Sequence, residues 1–475
     1  MSSHKETALL IDFGSTYTKL RAVDLTTGAI LATGQGPSTV TTDIAIGMRA
    51  ALDDLSAHMG GLPDFRHRLA SSSAAGGLRM VTVGLVKELT AEAARQAALG
   101  AGAKLVGSYA YRLTDGDVAA IVDLAPDVLL LSGGTDGGNS EVILHNAERL
   151  AESALDCPVI AAGNRNAADG IAAIFAAAGK PLTVTGNVMP AFQELDIDPA
   201  REAVRQVFID RIVHAKGIDR AAEMFDSVLM PTPAAVMAGA RLLAEGTGNI
   251  PGLGPLVVVD IGGATTDVHS IATGDPATEG VVQYGLPEPY EKRTVEGDLG
   301  MRHNARTIAE TVGLEHIAAE AGGGVQEVES WLAAIEDDVE ILPRNAGEVA
   351  LDRALARAAI GVAMKRHAGT IRIAQTPTGP LTVQQGKDLT AVTVLIGTGG
   401  ALVHAAEPTG ILSAALFSAS DRTSLRPAAP AVYIDHDYLL YAVGLLAQVA
   451  PEAAFAMAMN GMTLTGGKNE QRGAG

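Results

Sequence analysis

Asp12 and Asp260 occupy the same local setting in opposite halves of the chain. Each ends an aliphatic run and is followed by an apolar residue, a glycine and a cluster of small hydroxyl residues. Residues 8–19 read ALLIDFGSTYTK and residues 256–267 read LVVVDIGGATTD. Continuous Val, Leu and Ile runs are the pattern of buried strands, and the glycine after each marks a tight turn. Such turns suit phosphate. Glycine lets the backbone approach an anion, successive N–H groups and hydroxyls bond to phosphate oxygens, and aspartate is a hard oxygen ligand for a hydrated magnesium ion. A single copy is explained as well by a structural turn, because Gly and Asp form turns in many α/β proteins. Here a third glycine turn follows another aliphatic run at 392–400 (VTVLIGTGG). Three in this order predict a nucleotide held with magnesium between two domains.

On this reading Asp12 and Asp260 hold the metal through water and carry the phosphoryl chemistry. Gly14, Ser15, Thr16 and Thr18 are the expected donors of the first turn, and Gly262, Gly263, Thr265 and Thr266 those of the second. Lys19 either reaches a phosphate or ends its strand in solvent. Asp267 is either a further acid near the γ-phosphate or a cap on the turn. The segment holding Arg293, Glu296, Asp298 and Arg302 is a dense run of charge in an apolar context, either lining a cleft or forming a partner surface, or else an ordinary solvated strand–loop. His269, His303 and His367 lack a regular metal spacing. A fourth glycine turn, SGGTDGG at 132–138, follows a further aliphatic strand. It either holds a second ligand or partner or makes a tight strand–helix connection needing small residues, with Asn164 beside it.

The elements that must position these residues follow from composition and pattern. A chain of 475 residues is too long for one ordinary core, so at least two domains are expected. Hydrophobic residues make up 47% and aromatics only 4%, which predicts a core of Ala, Val, Leu and Ile in stacked helices and parallel strands. After the first turn the pattern predicts an antiparallel meander, a helix over 43–58, and then alternating strands and helices from 80 to 178, the mark of parallel βαβ units. Helices are expected over 308–334, 352–367 and 438–459. In residues 232–239, TPAAVMAG, Ala and Gly line one helix face and permit close approach of a neighbour. The domains are expected at 1–245, with an inserted α/β segment at about 79–190, and at 255–465, followed by a flexible tail at 466–475.

Charge and cysteine usage narrow the function. The net charge is −19, spread along the chain, which argues against a nucleic-acid backbone as partner. The single cysteine, Cys157, excludes an internal disulfide and reads as a small core residue of a protein in a reducing cytoplasm. No stretch has the length of a membrane span or the layout of a signal peptide, so a soluble, cytoplasmic protein without membrane partners is expected.

With these residues in view, the chain resembles the acetate and sugar kinase, heat-shock ATPase and actin superfamily. The resemblance implies an α/β fold with two ribonuclease-H-like domains around a nucleotide cleft. It makes IDFGSTYTK the first phosphate motif, VVVDIGGATTD the second and VLIGTGG the adenosine motif, so that Gly397, Gly399 and Gly400 let adenosine lie against the backbone and the cofactors are ATP and Mg2+. His404, one helical turn on, is expected to pack or cap. Within that superfamily the whole chain resembles the MutL or GlmL family of glutamate mutase accessory proteins, through SSSAAGGLRMVTVGLV, LLLSGGTDGGNSEVILHNAE, MPTPAAVMAGA, RTVEGDLGMR and LIGTGGALVH. That family implies an ATP-dependent reactivating chaperone whose protein client is an adenosylcobalamin-dependent glutamate (methylaspartate) mutase, with damaged cobalamin released so that the intact coenzyme can enter. The cobalamin-binding signature itself is absent, so this chain is not expected to bind cobalamin. One departure stands out: Met230 occupies the place where the heat-shock ATPases carry a water-positioning carboxylate. The rival reading is a small-molecule kinase of the same superfamily, which would need a base beside an acceptor hydroxyl; no residue identifies itself as one.

Overall fold

The first aliphatic run becomes β1 (Thr7–Phe13), buried along its whole length, and β2 (Tyr17–Asp24) and β3 (Ile30–Pro37) continue it as an antiparallel meander. Asp24 builds the turn between the last two: its Oδ1 accepts the N–H groups of Thr26 and Thr27 at 2.8 and 3.1 Å. After helix Ile44–Met59, β4 (His67–Ser72) pairs with β1 in parallel. This is a computed structural model, and it describes residues 6–14, 17–39, 44–72, 78–215, 229–377 and 379–465. The expected tail at 466–475 lies outside them.

The alternating segment then forms a sheet of its own. β5 (Arg79–Gly84), β6 (Lys104–Ala110), β7 (Val128–Leu131), β8 (Val159–Ala161) and β9 (Leu182–Val184) are all parallel, in the order β6-β5-β7-β8-β9. Helices Thr90–Gly100, Asp115–Asp123, Glu141–Glu152 and Ala168–Ala177 cross over between the strands. Cys157 is buried in the core of this inserted layer. The chain returns to the first sheet as β10 (Leu229–Pro231), parallel to β4, giving the order β10-β4-β1-β2-β3.

The second half repeats that pattern. β11 (Leu256–Ile261) and β12 (Thr266–Ile271) are antiparallel; β13 (Val282–Tyr284) leaves for a small separate sheet; β14 (Glu291–Glu296) pairs antiparallel with β12. β15 (Thr370–Thr376) and β16 (Gly379–Gln385) complete the small sheet with β13. β17 (Val394–Thr398) and β18 (Ala431–Asp435) then add in parallel beside β11, and β19 (Met462–Thr465) closes the edge antiparallel. Three antiparallel strands followed by two parallel ones, in the order β14-β12-β11-β17-β18, reproduce β3-β2-β1-β4-β10 of the first sheet. Both are ribonuclease-H-type sheets.

Two expected helices are broken. The one over 308–334 is three helices, Ala305–Val312, Leu314–Ala321 and Val325–Asp337, because Gly313 takes a φ of 95° and Gly322 one of 71°. Glycine ends helices in this way at little steric cost. The one over 438–459 divides into Leu440–Leu446 and Pro451–Gly461, with Pro451 starting the second.

The described residues cluster into two compact units. The first runs to Leu242 and includes Gly285–Pro289 and Leu440–Met457; the second holds Leu243–Tyr284, Tyr290–Leu439 and the described residues from Ala458. The sequence had placed 440–457 with the second domain. In the first unit, helices Thr232–Glu245 and Leu440–Leu446 meet at two glycines: a Cβ on Gly239 would stand 2.4 Å from the Leu440 carbonyl oxygen, and one on Gly444 only 1.8 Å from that of Ala235. Among the described residues no helix is long and apolar enough to cross a membrane.

Candidate functional site

In the first unit, Asp12 stands at the carboxyl end of β1 and is 7% exposed. Register sets its surroundings. Lys19 on β2 and Ser71 on β4 are its direct neighbours, and Met230 on β10 is the neighbour of Ser71, so the four form one row across the sheet. The Asp12 Oδ1 accepts hydrogen bonds from the Ser71 hydroxyl (3.0 Å) and from Thr232 (2.8 Å), the first residue of the following helix. Burial pushes the Asp12 carboxyl above the usual range, opposed by the Thr232 and Ser71 bonds and by the charges of Lys19 and Arg21. Lys19 is therefore placed beside the carboxylate rather than at a remote strand end. Met230 is 4% exposed and offers no base at this position.

The turn after Asp12 is closed by the Gly14 N–H, which donates to the Tyr17 carbonyl at 3.0 Å. The turn after Asp260 is closed identically, the Gly262 N–H donating to the Thr265 carbonyl at 2.9 Å. The cross-strand partner of Asp260 is Asp267, where the first unit has Lys19. Adjacent carboxylates repel, and Arg293 from β14 relieves this: its Nη2 donates to the Asp267 Oδ2 at 2.9 Å, with both side chains largely buried. Asp267 is thus held by an arginine and does not cap the turn. Its Oδ1 is buried and accepts no hydrogen bond. His269, next on the same face, is held neutral by its burial and by the charge of Arg293.

Two of the expected donors face the wrong way. Thr18 and Thr266 hold equivalent positions, one residue off the row of each aspartate, so strand alternation turns them to the opposite face, where both are fully buried. The Thr266 hydroxyl donates to the Leu299 carbonyl at 2.7 Å, and that of Thr18 has no partner. They are core residues of the two turns. Gly262, Gly263 and Thr265 remain accessible at the second turn. Ser15 and Thr16 lie outside the described residues.

In the second unit the 262–264 turn is braced from behind by the RTVEGDLGMR segment. Met301, Arg302 and His303 donate backbone N–H groups to the carbonyls of Gly262 and Gly263 at 2.9 to 3.0 Å. Arg366 answers the segment's acids, bonding to Glu296 at 2.7 Å and to both oxygens of Asp298 at 2.8 and 2.9 Å, which holds the Asp298 carboxyl below its usual range. Its charges are therefore paired, and one of them faces a cavity. Arg302 makes a bidentate pair with Asp352 at 3.0 and 2.6 Å, and the Trp331 indole donates to the same carboxylate at 3.1 Å.

That cavity measures about 850 Å3 and is bounded by the 261–263 turn, Arg302, Asp352, Gly400, His404 and Ile411. The third glycine loop closes against it. Thr398 lies beside Asp260 in the parallel register, and Gly399, at φ 96°, crosses so close to β11 that a Cβ would stand 2.2 Å from the Ile261 carbonyl oxygen. Gly397 is buried, with Leu412, Leu402 and Ile434 packed against it. His404 ends the short helix Gly400–Val403 and is exposed at the cavity wall instead of packing. A volume of this size, bounded by two glycine turns and by Arg302 with its Asp352 partner, suits a nucleotide. Asp12 in the first unit and Asp260 in the second are each a hard-oxygen group of the kind a hydrated magnesium ion prefers. Among the described residues no group of three or more His, Cys, Asp or Glu forms a closed metal cage.

The fourth glycine turn is a tight connection. Asn164, 1% exposed, accepts from the Gly137 N–H and donates to the carbonyls of Gly138 and Asn139, while Asp136 accepts from Asn187 and the Arg165 N–H. Ser71, Asp352 and Tyr438, described below, were missed in the sequence. For Ser71 the period-two alternation of β4 was the available signal.

A pair of ribonuclease-H-type α/β units, each with a strand–Asp–x–Gly turn at the carboxyl end of its first strand, defines the architecture of the sugar kinase, heat-shock ATPase and actin class. The sequence model of the MutL protein family matches residues 8–462, and the chain belongs to that family. It is 47% identical over 447 residues to Protein MutL of Clostridium tetanomorphum, covering 94% of this chain and 97% of that one. Solved structures with distant likeness include the activator of the 2-hydroxyisocaproyl-CoA dehydratase from Clostridium difficile with bound ADPNP (10% identity, 96% of each chain, TM-score 0.33). Two others are a xylulose kinase from Bifidobacterium adolescentis (14%, 98% and 96%, 0.35) and a glycerol dehydratase reactivase (10%, 93% and 99%, 0.34).

Proposed function

We propose that this protein is an ATP-dependent reactivating chaperone for an adenosylcobalamin-dependent mutase, with glutamate mutase as client and damaged cobalamin exchanged for intact coenzyme. The observation that carries the nucleotide part is the cavity of about 850 Å3 lined by Gly262 and Gly263 of one turn and Gly400 of another. The client is carried by membership of the MutL family and by what the sequence resemblance implies.

Each residue then has a task. Arg302, fixed by Asp352, offers a flat cationic wall to a base, and the 399–400 backbone lets the ribose approach. The N–H groups of the 262–265 turn and of the turn at Gly14 meet phosphate oxygens. Asp260 and Asp12 would hold a hydrated magnesium ion, and Lys19 adds positive charge beside Asp12. Bound magnesium neutralises charge developing on the transferred phosphoryl group. With Met230 beside Ser71 where the heat-shock ATPases carry a water-positioning carboxylate, hydrolysis is either slow, as suits a timer, or relies on Asp12 or Asp260. Coupling to a client requires that ATP and ADP favour different conformations to different degrees.

The test is recovery of activity from a cobalamin-inactivated glutamate mutase on adding this protein, MgATP and fresh adenosylcobalamin, with Asp260→Ala as control. ATP-dependent recovery that the variant loses supports the proposal. ATP consumption without recovery removes glutamate mutase as client and favours the kinase reading. No ATP consumption sinks both.

A further inference from the structure

Tyr438 is a non-glycine residue at φ 53°, in the left-handed region that side chains with a Cβ seldom enter. The fold holds it there. Asp435, fully buried at the end of β18, accepts the Leu439 N–H with both carboxylate oxygens, at 2.8 and 2.7 Å, and the Thr398 hydroxyl donates to its carbonyl at 3.3 Å. The turn is thereby tied to β17, the strand next to β11 and Asp260. Backbone strain maintained by surrounding bonds is common at ligand sites.

The consequence lies in where the phenol ends. Its hydroxyl is 4.0 Å from the point at which a side chain on Gly400 would begin, over the third glycine loop. It is also close enough to Asp260 and Asp435 to feel both charges; burial first, then these carboxylates, raises its pKa above the ordinary tyrosine value. A phenol hydroxyl is in any case a neutral donor at neutral pH. A phosphate chain brought beside Asp260 meets a negative charge, and a neutral O–H donor next to it offsets part of that repulsion.

We propose that Tyr438 is a positioning residue for the nucleotide, its hydroxyl donating to the phosphate chain where this leaves the ribose at the Gly399–Gly400 turn and setting it against Asp260. This rests on the ATP-binding reading given above. The full-length protein is compared with Tyr438→Phe and Tyr438→His by calorimetric titration with MgADP and with adenosine, thermal unfolding reporting the fold. Loss of one charge-assisted bond weakens MgADP binding by about tenfold to a hundredfold in the Phe variant and leaves adenosine affinity unchanged. His, tolerated at left-handed φ and able to donate, restores part of the loss and serves as the comparison should the Phe variant not fold. Equal MgADP affinity in wild type and Phe variant overturns the proposal and leaves the ATP reading intact. Parallel loss of adenosine and MgADP binding, or no rescue by His, overturns it in favour of a purely structural role. Absence of any MgADP binding to wild type overturns both.

Discussion

At the residue scale, one-residue steps along a strand separate chemistry from core. Asp12 and Asp260 face one side of their sheets, and Thr18 and Thr266, which sit in the same hydroxyl-rich motifs, face the other. The two threonines make a sharp prediction. The Thr18 hydroxyl is buried without a partner, so Thr18→Val, which keeps the branched shape, stabilises the protein by about 1 kcal/mol and leaves ATP turnover unchanged. Chemical denaturation and a steady-state assay check this; a fall in turnover would return Thr18 to the phosphate turn. The aspartates were legible because Asp before a glycine turn is a chemical signature in the chain itself. Their partners were not. Ser71 and Thr232 approach Asp12 from residues 59 and 220 positions away, and no local pattern encodes such pairings.

At the element scale, the strands were read well and the long helices poorly. Aliphatic runs specify buried strands almost directly, whereas Gly313 and Pro451 interrupt patterns that otherwise remain helical. Helix contacts were legible where small residues demanded them. The Ala- and Gly-lined face of the helix beginning at Thr232 does receive a close neighbour, with Gly239 against Leu440 and Gly444 against Ala235. Gly444→Ala forces these two helices apart and costs about 1–3 kcal/mol or more, read as a lower urea midpoint. A midpoint equal to wild type would mean that the contact relaxes freely. The RTVEGDLGMR segment shows the limit of composition. Its charges left a lined site, a partner surface and a solvated loop open, and in the fold Arg293 and Arg302 answer Asp267 and Asp352 inside the second unit while its backbone buttresses the 262–264 turn.

At the scale of the molecule, binding of nucleotide to the folded state alone must raise its stability by mass action. MgATP at a hundredfold excess over its dissociation constant contributes about 2.7 kcal/mol, a shift of several degrees in the unfolding midpoint. Scanning calorimetry of wild type should show that shift, and Asp260→Ala should lose it; an equal shift in the variant would separate Asp260 from the bound phosphates. The duplicated strand order was foreshadowed by the two matching turns, which the sequence by itself determined along with the parallel inserted layer and the family, because strand periodicity, glycine turns and motif order are properties of neighbouring residues. Only the tertiary structure decided that Leu440–Met457 packs with the first unit, that Asp260 has a second carboxylate at its side, that the fourth glycine turn is closed on itself by Asn164, and that Tyr438 overhangs the third. Each of these depends on which distant strands and helices become neighbours, and that is settled by the burial of whole faces against one another rather than by any short stretch of chain.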